Sequence, residues 1–199
     1  MNKRKRVTRG YGLLENFLAK KRAQKANSLI PKELSEGRIL DLGCGSYPYF
    51  LFSIDFKERF GIDPLLDDDL YRNCRINLKK EKIGEGKLPY KEDFFDVVTM
   101  LAVFEHIEKE KIGNLLKEIK RVLKKGGLLI ITTPAPWADS LLHFMGKVGL
   151  ISSEEINEHK HNHKREKIED MLERAGFNRQ GIKSGSFEAY ANMWFRAIK

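Results

Sequence analysis

The chain has 199 residues, of which 41% are hydrophobic, enough to bury one sizeable core and too few for two independent ones. No run nears the eighteen or so uninterrupted apolar residues of a spanning helix, and "MNKRKRVTRG" lacks the apolar stretch of a secretion signal, so we expect a soluble, cytoplasmic protein. The formal charge of +9 is unevenly placed: residues 1–38 hold 11 basic and 3 acidic side chains, whereas 39–199 are close to balance.

Five of the first nine residues are Lys or Arg, and residues 1–12 read as a basic arm that is either a solvated tail or a contact for phosphate or anionic lipid. From residue 13 to 199 we expect one domain. Leu14, Phe17, Leu18, Ala26, Leu29 and Ile30 form an imperfect helical stripe that Pro31 ends. Ile39 to Leu42 then reads as a buried strand, followed by a helix over 49–58 and a second short strand, "RFGID". "NCRINL" is a candidate third strand and "FDVVTML" a clear fourth. Ile112, Leu115, Leu116, Ile119, Val122 and Leu123 define an amphipathic helix that Gly126 and Gly127 should stop. "LLIITT" makes the fifth strand, closed by Pro134. Beyond a loop-and-helix segment, Ile168, Met171, Leu172 and Ala175 mark another helix, and 189–199 a closing strand. Strands alternating with helices imply a doubly wound, mostly parallel sheet of Rossmann-like type, which binds ligands at the carboxyl ends of its strands.

The chemistry concentrates in "RILDLGCGSYPYF", where a buried strand ends in Asp41 and turns through Gly43, Cys44 and Gly45. Glycines permit a tight turn and close backbone approach to a ligand. Dinucleotide enzymes use such a turn too, but Pro48 stands where their fingerprint needs its third glycine. A carboxylate beside the turn also repels a pyrophosphate and suits a cationic amine or sulfonium. Asp63, at the end of the next strand, is placed to bind ribose hydroxyls. A positively charged nucleoside without phosphate meets these requirements, and S-adenosylmethionine is one. Cys44 reads as a small neutral spacer rather than a nucleophile. No disulfide framework or structural zinc spacing is present.

The segments "ILDLGCG", "FGIDP", "LPYKEDFFDVVTMLAVFEHI" and "LKEIKRVLKKGGLLIITTP" together resemble the class I S-adenosylmethionine-dependent methyltransferases, in particular their small type 11 branch. The resemblance implies a seven-stranded sheet with its last strand antiparallel. It also implies cofactor contacts from Asp41, Gly43, Cys44, Gly45, Asp63, Pro64 and Leu101, with "FEHI" near the methyl group. Tyr47 and Pro48 depart from the family's pattern after the turn. The acid that usually contacts adenine has no clear counterpart, and Asn77 and Glu85 are both candidates, with Asn77 preferred.

Methyl transfer is an in-line displacement that needs alignment, exclusion of water and, for a weakly acidic hydroxyl, removal of a proton. No metal is required. His106 is the candidate base, against a plain packing or capping role. A segment over about 135–165 has the composition of a lid, with His143 and His161, and also Tyr11, as candidate substrate contacts. "HKHNH", with His159, His161 and His163, stays open between an exposed loop, a substrate-side role and metal binding. A small-molecule acceptor is the first expectation. A nucleic-acid or protein methyltransferase using the basic arm is the second, and a non-catalytic cofactor-binding protein the third.

Overall fold

The computed structural model describes residues 15–67, 75–138 and 163–199. Seven strands form one sheet: β1 (Arg38–Leu42), β2 (Glu58–Ile62), β3 (Asn77–Lys79), β4 (Phe95–Leu101), β5 (Leu123–Pro134), β6 (Lys183–Phe187) and β7 (Asn192–Ile198), in the order β3-β2-β1-β4-β5-β7-β6. The first five pair in parallel, and β7 runs antiparallel to both β5 and β6. The parallel crossovers place the carboxyl ends of β1, β2 and β4 along one edge. The antiparallel last strand is the arrangement expected.

Burial explains why the central strands read as unbroken apolar runs. Ile39, Leu40, Leu42, Val97, Val98 and Met100 are all fully buried, as strands covered on both faces must be. On one face, α3 (Lys109–Val122) inserts Ile112, Leu115, Leu116 and Ile119, joined by Ile168 and Leu172 of α4 (Arg165–Arg174). On the other, α1 (Glu15–Ser28) contributes Ala23 and Ala26, and the short α2 (Tyr49–Ser53) contributes Phe50 and Leu51. The α1 stripe is therefore narrower than its sequence suggests, and Phe17 stands 54% exposed.

Three elements differ from expectation. The helix foreseen over 49–58 stops at Ser53, because the backbone must be extended by Glu58, which pairs with Arg38. The helix expected to run to Gly126 ends at Val122, since Leu123 already pairs with Phe95 as the start of β5. Strand β6 carries little apolar signal because Trp194 of β7 lies across it. A Cβ on Gly185 would meet the indole at 2.7 Å, so small residues are required there.

The direction of α1 matters for the site. Lys25 stacks over the Trp194 ring at 4.8 Å, level with Thr132 of β5. One turn earlier, Arg22 and Lys21 act on Glu188 at the β6–β7 hairpin. That hairpin sits beside Pro134, at the carboxyl end of β5. The amino end of α1 thus points toward the ligand edge of the sheet.

Candidate functional site

Asp41 occupies the penultimate position of β1, and its side chain is 3% exposed. Its register neighbours are Gly61 on β2 and Thr99 on β4. The Thr99 hydroxyl donates to Asp41 Oδ1 at 2.6 Å. Burial drives the Asp41 carboxyl up to about 7; the Thr99 hydrogen bond opposes that rise and the nearby Asp63 carboxylate adds to it. Among the described residues, no positive side chain figures among the groups acting on it.

After Leu42 the chain turns with Gly43 and Gly45 both in the left-handed region, at φ 79° and 76°. At Gly43 the requirement is double, because a Cβ would also lie 2.2 Å from a Val103 methyl. The Gly43 and Cys44 amides both donate to the Ile62 carbonyl, at 2.8 and 3.3 Å. Asp63, 4% exposed, then closes the turn: its Oδ2 accepts from the Gly45 amide at 2.9 Å and its Oδ1 from the Leu65 amide at 2.8 Å. Pro64, half-buried, follows directly. Burial, followed by the charges of Asp41 and Asp63, raises the Cys44 thiol far above its ordinary range, which removes it as a nucleophile at neutral pH.

The third wall follows β4. Leu101 ends the strand half-buried, and Ala102 takes a left-handed φ of 56°. The Ala102 amide donates to both the carbonyl and the hydroxyl of Thr132, at 2.9 and 3.2 Å. Phe104–His106 form a 3-10 turn, in which the His106 amide donates to the Val103 carbonyl at 3.0 Å. Glu105 is 1% exposed and accepts from the Thr133 hydroxyl at 3.1 Å. The two threonines of "IITTP" therefore hold the segment that presents Val103 to the glycine turn and His106 to the edge.

The structure brings Asp41, Gly43, Cys44, Gly45, Asp63, Pro64 and Leu101 together at one edge. Asn77 is not among them. It opens β3 beside Phe60, two residues short of that strand's carboxyl end, and its amide donates to the Arg59 carbonyl at 3.5 Å. Glu85 stands in the loop before β4, 3.9 Å from Lys111 of α3. Tyr11, His143, His159 and His161 lie outside the described residues, as does most of the 135–165 segment. His163 is described: it is 6% exposed and meets the Phe104 ring edge-on at 6.2 Å. His163 is thus buried beside Phe104 of "FEHI", and the rest of "HKHNH" lies outside the described residues. Sequence reasoning passed over Thr99, Glu105 and Thr133. The available signal was a hydroxyl or carboxylate inside an otherwise apolar run, in "VVTML", "VFEHI" and "IITTP".

Whether these residues suit S-adenosylmethionine is decided by Asp41. A buried carboxyl that has, among the described residues, one hydroxyl donor and no cation suits a positive ligand group better than a phosphate. The glycine turn beside it leaves backbone room, so the residues fit.

A family model described as a methyltransferase domain matches residues 14–180. An uncharacterized protein of Methanocaldococcus jannaschii is 33% identical over 135 residues, covering 67% of this chain and 52% of that protein. A tRNA (carboxymethyluridine(34)-5-O)-methyltransferase of Arabidopsis thaliana is 30% identical over 102 residues, covering 50% of this chain and 24% of that enzyme. The chain thus spans about half or less of the length of the curated relatives it matches. Among solved structures, an S-adenosylmethionine-dependent methyltransferase of Mesorhizobium loti shares the fold with a TM-score of 0.67 at 17% identity, covering 88% of this chain and 96% of that one.

Proposed function

The chain belongs to the methyltransferase-domain family, and from that premise we propose that it transfers the methyl group of S-adenosylmethionine to a small-molecule acceptor taken at the carboxyl edge of the sheet. The observation that carries the reading is the pair of buried acids, Asp41 and Asp63, flanking a glycine turn, with no cation among the described residues acting on Asp41. When bound, the cofactor supplies a methyl group on a sulfonium, open to displacement by a nucleophile in line. Asp41 would hold its positive amino-acid end, Gly43 to Gly45 would give backbone room, Asp63 and Pro64 would bound the ribose, and Leu101 would cover the methionine side. His106 receives a proton from the acceptor where its nucleophile is a hydroxyl. Among the described residues, no helix is long and apolar enough to cross a membrane.

A second reading, a nucleic-acid acceptor, draws on the direction of α1. The helix aims its amino end at the ligand edge, and five Lys or Arg precede it within residues 1–9. The tRNA-modifying relative points the same way. Incubation with labelled cofactor against a pool of cellular metabolites and against total RNA separates the two readings. The small-molecule reading expects label in metabolites, retained after deletion of residues 1–9. Label in RNA alone, lost with the deletion and weakened by salt, puts the second reading first. Cofactor binding without label in either pool supports a non-catalytic binding protein. With an acceptor in hand, His106→Ala lowers turnover by about 10²–10⁴-fold if His106 is the base, with cofactor affinity nearly unchanged.

A further inference from the structure

Thr99 lies in the middle of the sheet, paired with Asp41 of β1 and Ile130 of β5, and is fully buried. Its hydroxyl has one hydrogen to give. The acceptors in reach are Asp41 Oδ1 at 2.6 Å and the Leu40 carbonyl at 3.4 Å, and the shorter contact wins. A valine would fill the same volume between Val97 and Leu101, so packing alone does not call for a threonine. The hydroxyl has one evident purpose here, to donate to Asp41.

Among the described residues, what else acts on Asp41 or packs on its side of the sheet is of the wrong sign or apolar. β2 brings Asp63, and the turn brings Cys44, whose thiol stays neutral. From α1 the packed residues are Ala23 and Ala26, while Lys21 and Arg22 act on Glu188 and Lys25 covers Trp194. From α2 they are Phe50 and Leu51, and the Arg59 guanidinium donates to the Leu51 and Ile54 carbonyls instead.

We propose that Thr99 is a positioning residue that makes cofactor capture proton-linked: a cationic ligand group docks on Asp41 only as the carboxyl releases its proton to solvent, and the Thr99 hydroxyl holds the resulting carboxylate in place. The inference rests on the cofactor reading above. The balance is simple: the carboxyl O–H bond breaks, the proton passes to buffer, and the ammonium of the ligand keeps its charge and meets the new carboxylate. Burial of Asp41 raises its carboxyl to about 7, so below that pH it holds its proton before the ligand arrives. Thr99 lowers the cost of the charged form by donating to it, which places the switch near physiological pH instead of above it.

The test is titration calorimetry with S-adenosylhomocysteine, which carries the amino-acid ammonium and is chemically stable, in buffers of differing ionisation enthalpy between about pH 5.5 and 8.5. Wild type should release close to one proton per ligand near pH 6 and almost none near pH 8.5. Its affinity should rise about tenfold per pH unit below pH 7 and then flatten. Asp41→Asn should abolish this dependence, leaving only the ligand's own titration. Thr99→Val should move the bend to higher pH and Thr99→Ser restore it, whereas a merely structural Thr99 would leave the bend in place. If Thr99→Val does not fold, Thr99→Ala supplies the profile without the hydroxyl and should show the same displaced bend. Binding by wild type without proton release and with flat affinity overturns the inference while leaving the cofactor reading intact. No binding by wild type at any pH overturns both.

Discussion

The ends of β1 and β2 carry the same residue type in different company. Asp63 uses both oxygens, one on the Gly45 amide and one on the Leu65 amide, so it stitches two loops together. Asp41, equally buried, has one short bond, from Thr99. Two backbone donors make Asp63 part of the architecture of the turn. Among the described residues a single hydroxyl supports Asp41, so its charged form is costly in the interior unless a ligand relieves it. Buried acids at adjacent strand ends thus differ in their bonding: Asp63 is tied into the turn by two amides, and Asp41 is the one left, on the proposed reading, for a cationic ligand group.

The largest expected effect comes from breaking the turn that joins the two. Gly43→Ala adds a methyl against Val103 in a left-handed backbone and should cost roughly 2–4 kcal/mol of stability. Gly45→Ala meets no atom nearer than 3.8 Å and should cost only about 1 kcal/mol, so thermal unfolding of the two variants measures the contact separately from the backbone term. Next, Asp63→Ala should lower stability and cofactor affinity together, each by about 1–3 kcal/mol, because it strands two amides as well as removing a ligand contact.

Asp41→Asn should separate those two quantities. Affinity for S-adenosylmethionine falls by about 1–3 kcal/mol, while the ligand-free protein becomes more stable at pH 8. The sign follows from linkage. The Asp41 pKa is raised on folding, from 3.8 to about 7, so its stabilising contribution is complete below about pH 4 and is lost as pH rises through 7. Melting curves of ligand-free wild type and Asp41→Asn over pH 4–8 should therefore diverge upward in pH, with the variant on top. Parallel curves would place Asp41 in the same structural class as Asp63.

Much of the cofactor half was legible in the sequence because its signals are local. "ILDLGCG" contains a strand, an acid and two glycines within seven residues, and β4 appears residue for residue in "FDVVTML". Asp63 was found by its place after a strand, but its bonds to Gly45 and Leu65 depend on how β1 and β2 pair, which no local pattern records. Asn77 shows the same limit: as the first residue of a three-residue strand, its height along the sheet depends on register alone. Strand β6 was missed because "KSGSF" is dictated by a tryptophan nine residues beyond Gly185. Thr99 was hidden by its type, since a threonine suits a strand whether or not its hydroxyl has work to do.

The central claim is that the edge formed by β1, β2 and β4 takes a positively charged nucleoside and not a pyrophosphate. Calorimetry at about pH 8 with S-adenosylmethionine, S-adenosylhomocysteine and NAD, on wild type and on Asp63→Ala, tests it most directly. One site for each of the first two ligands, no heat from NAD, and at least tenfold weaker binding in the variant are expected. NAD binding as tightly as S-adenosylmethionine, or affinities unchanged in Asp63→Ala, would contradict it.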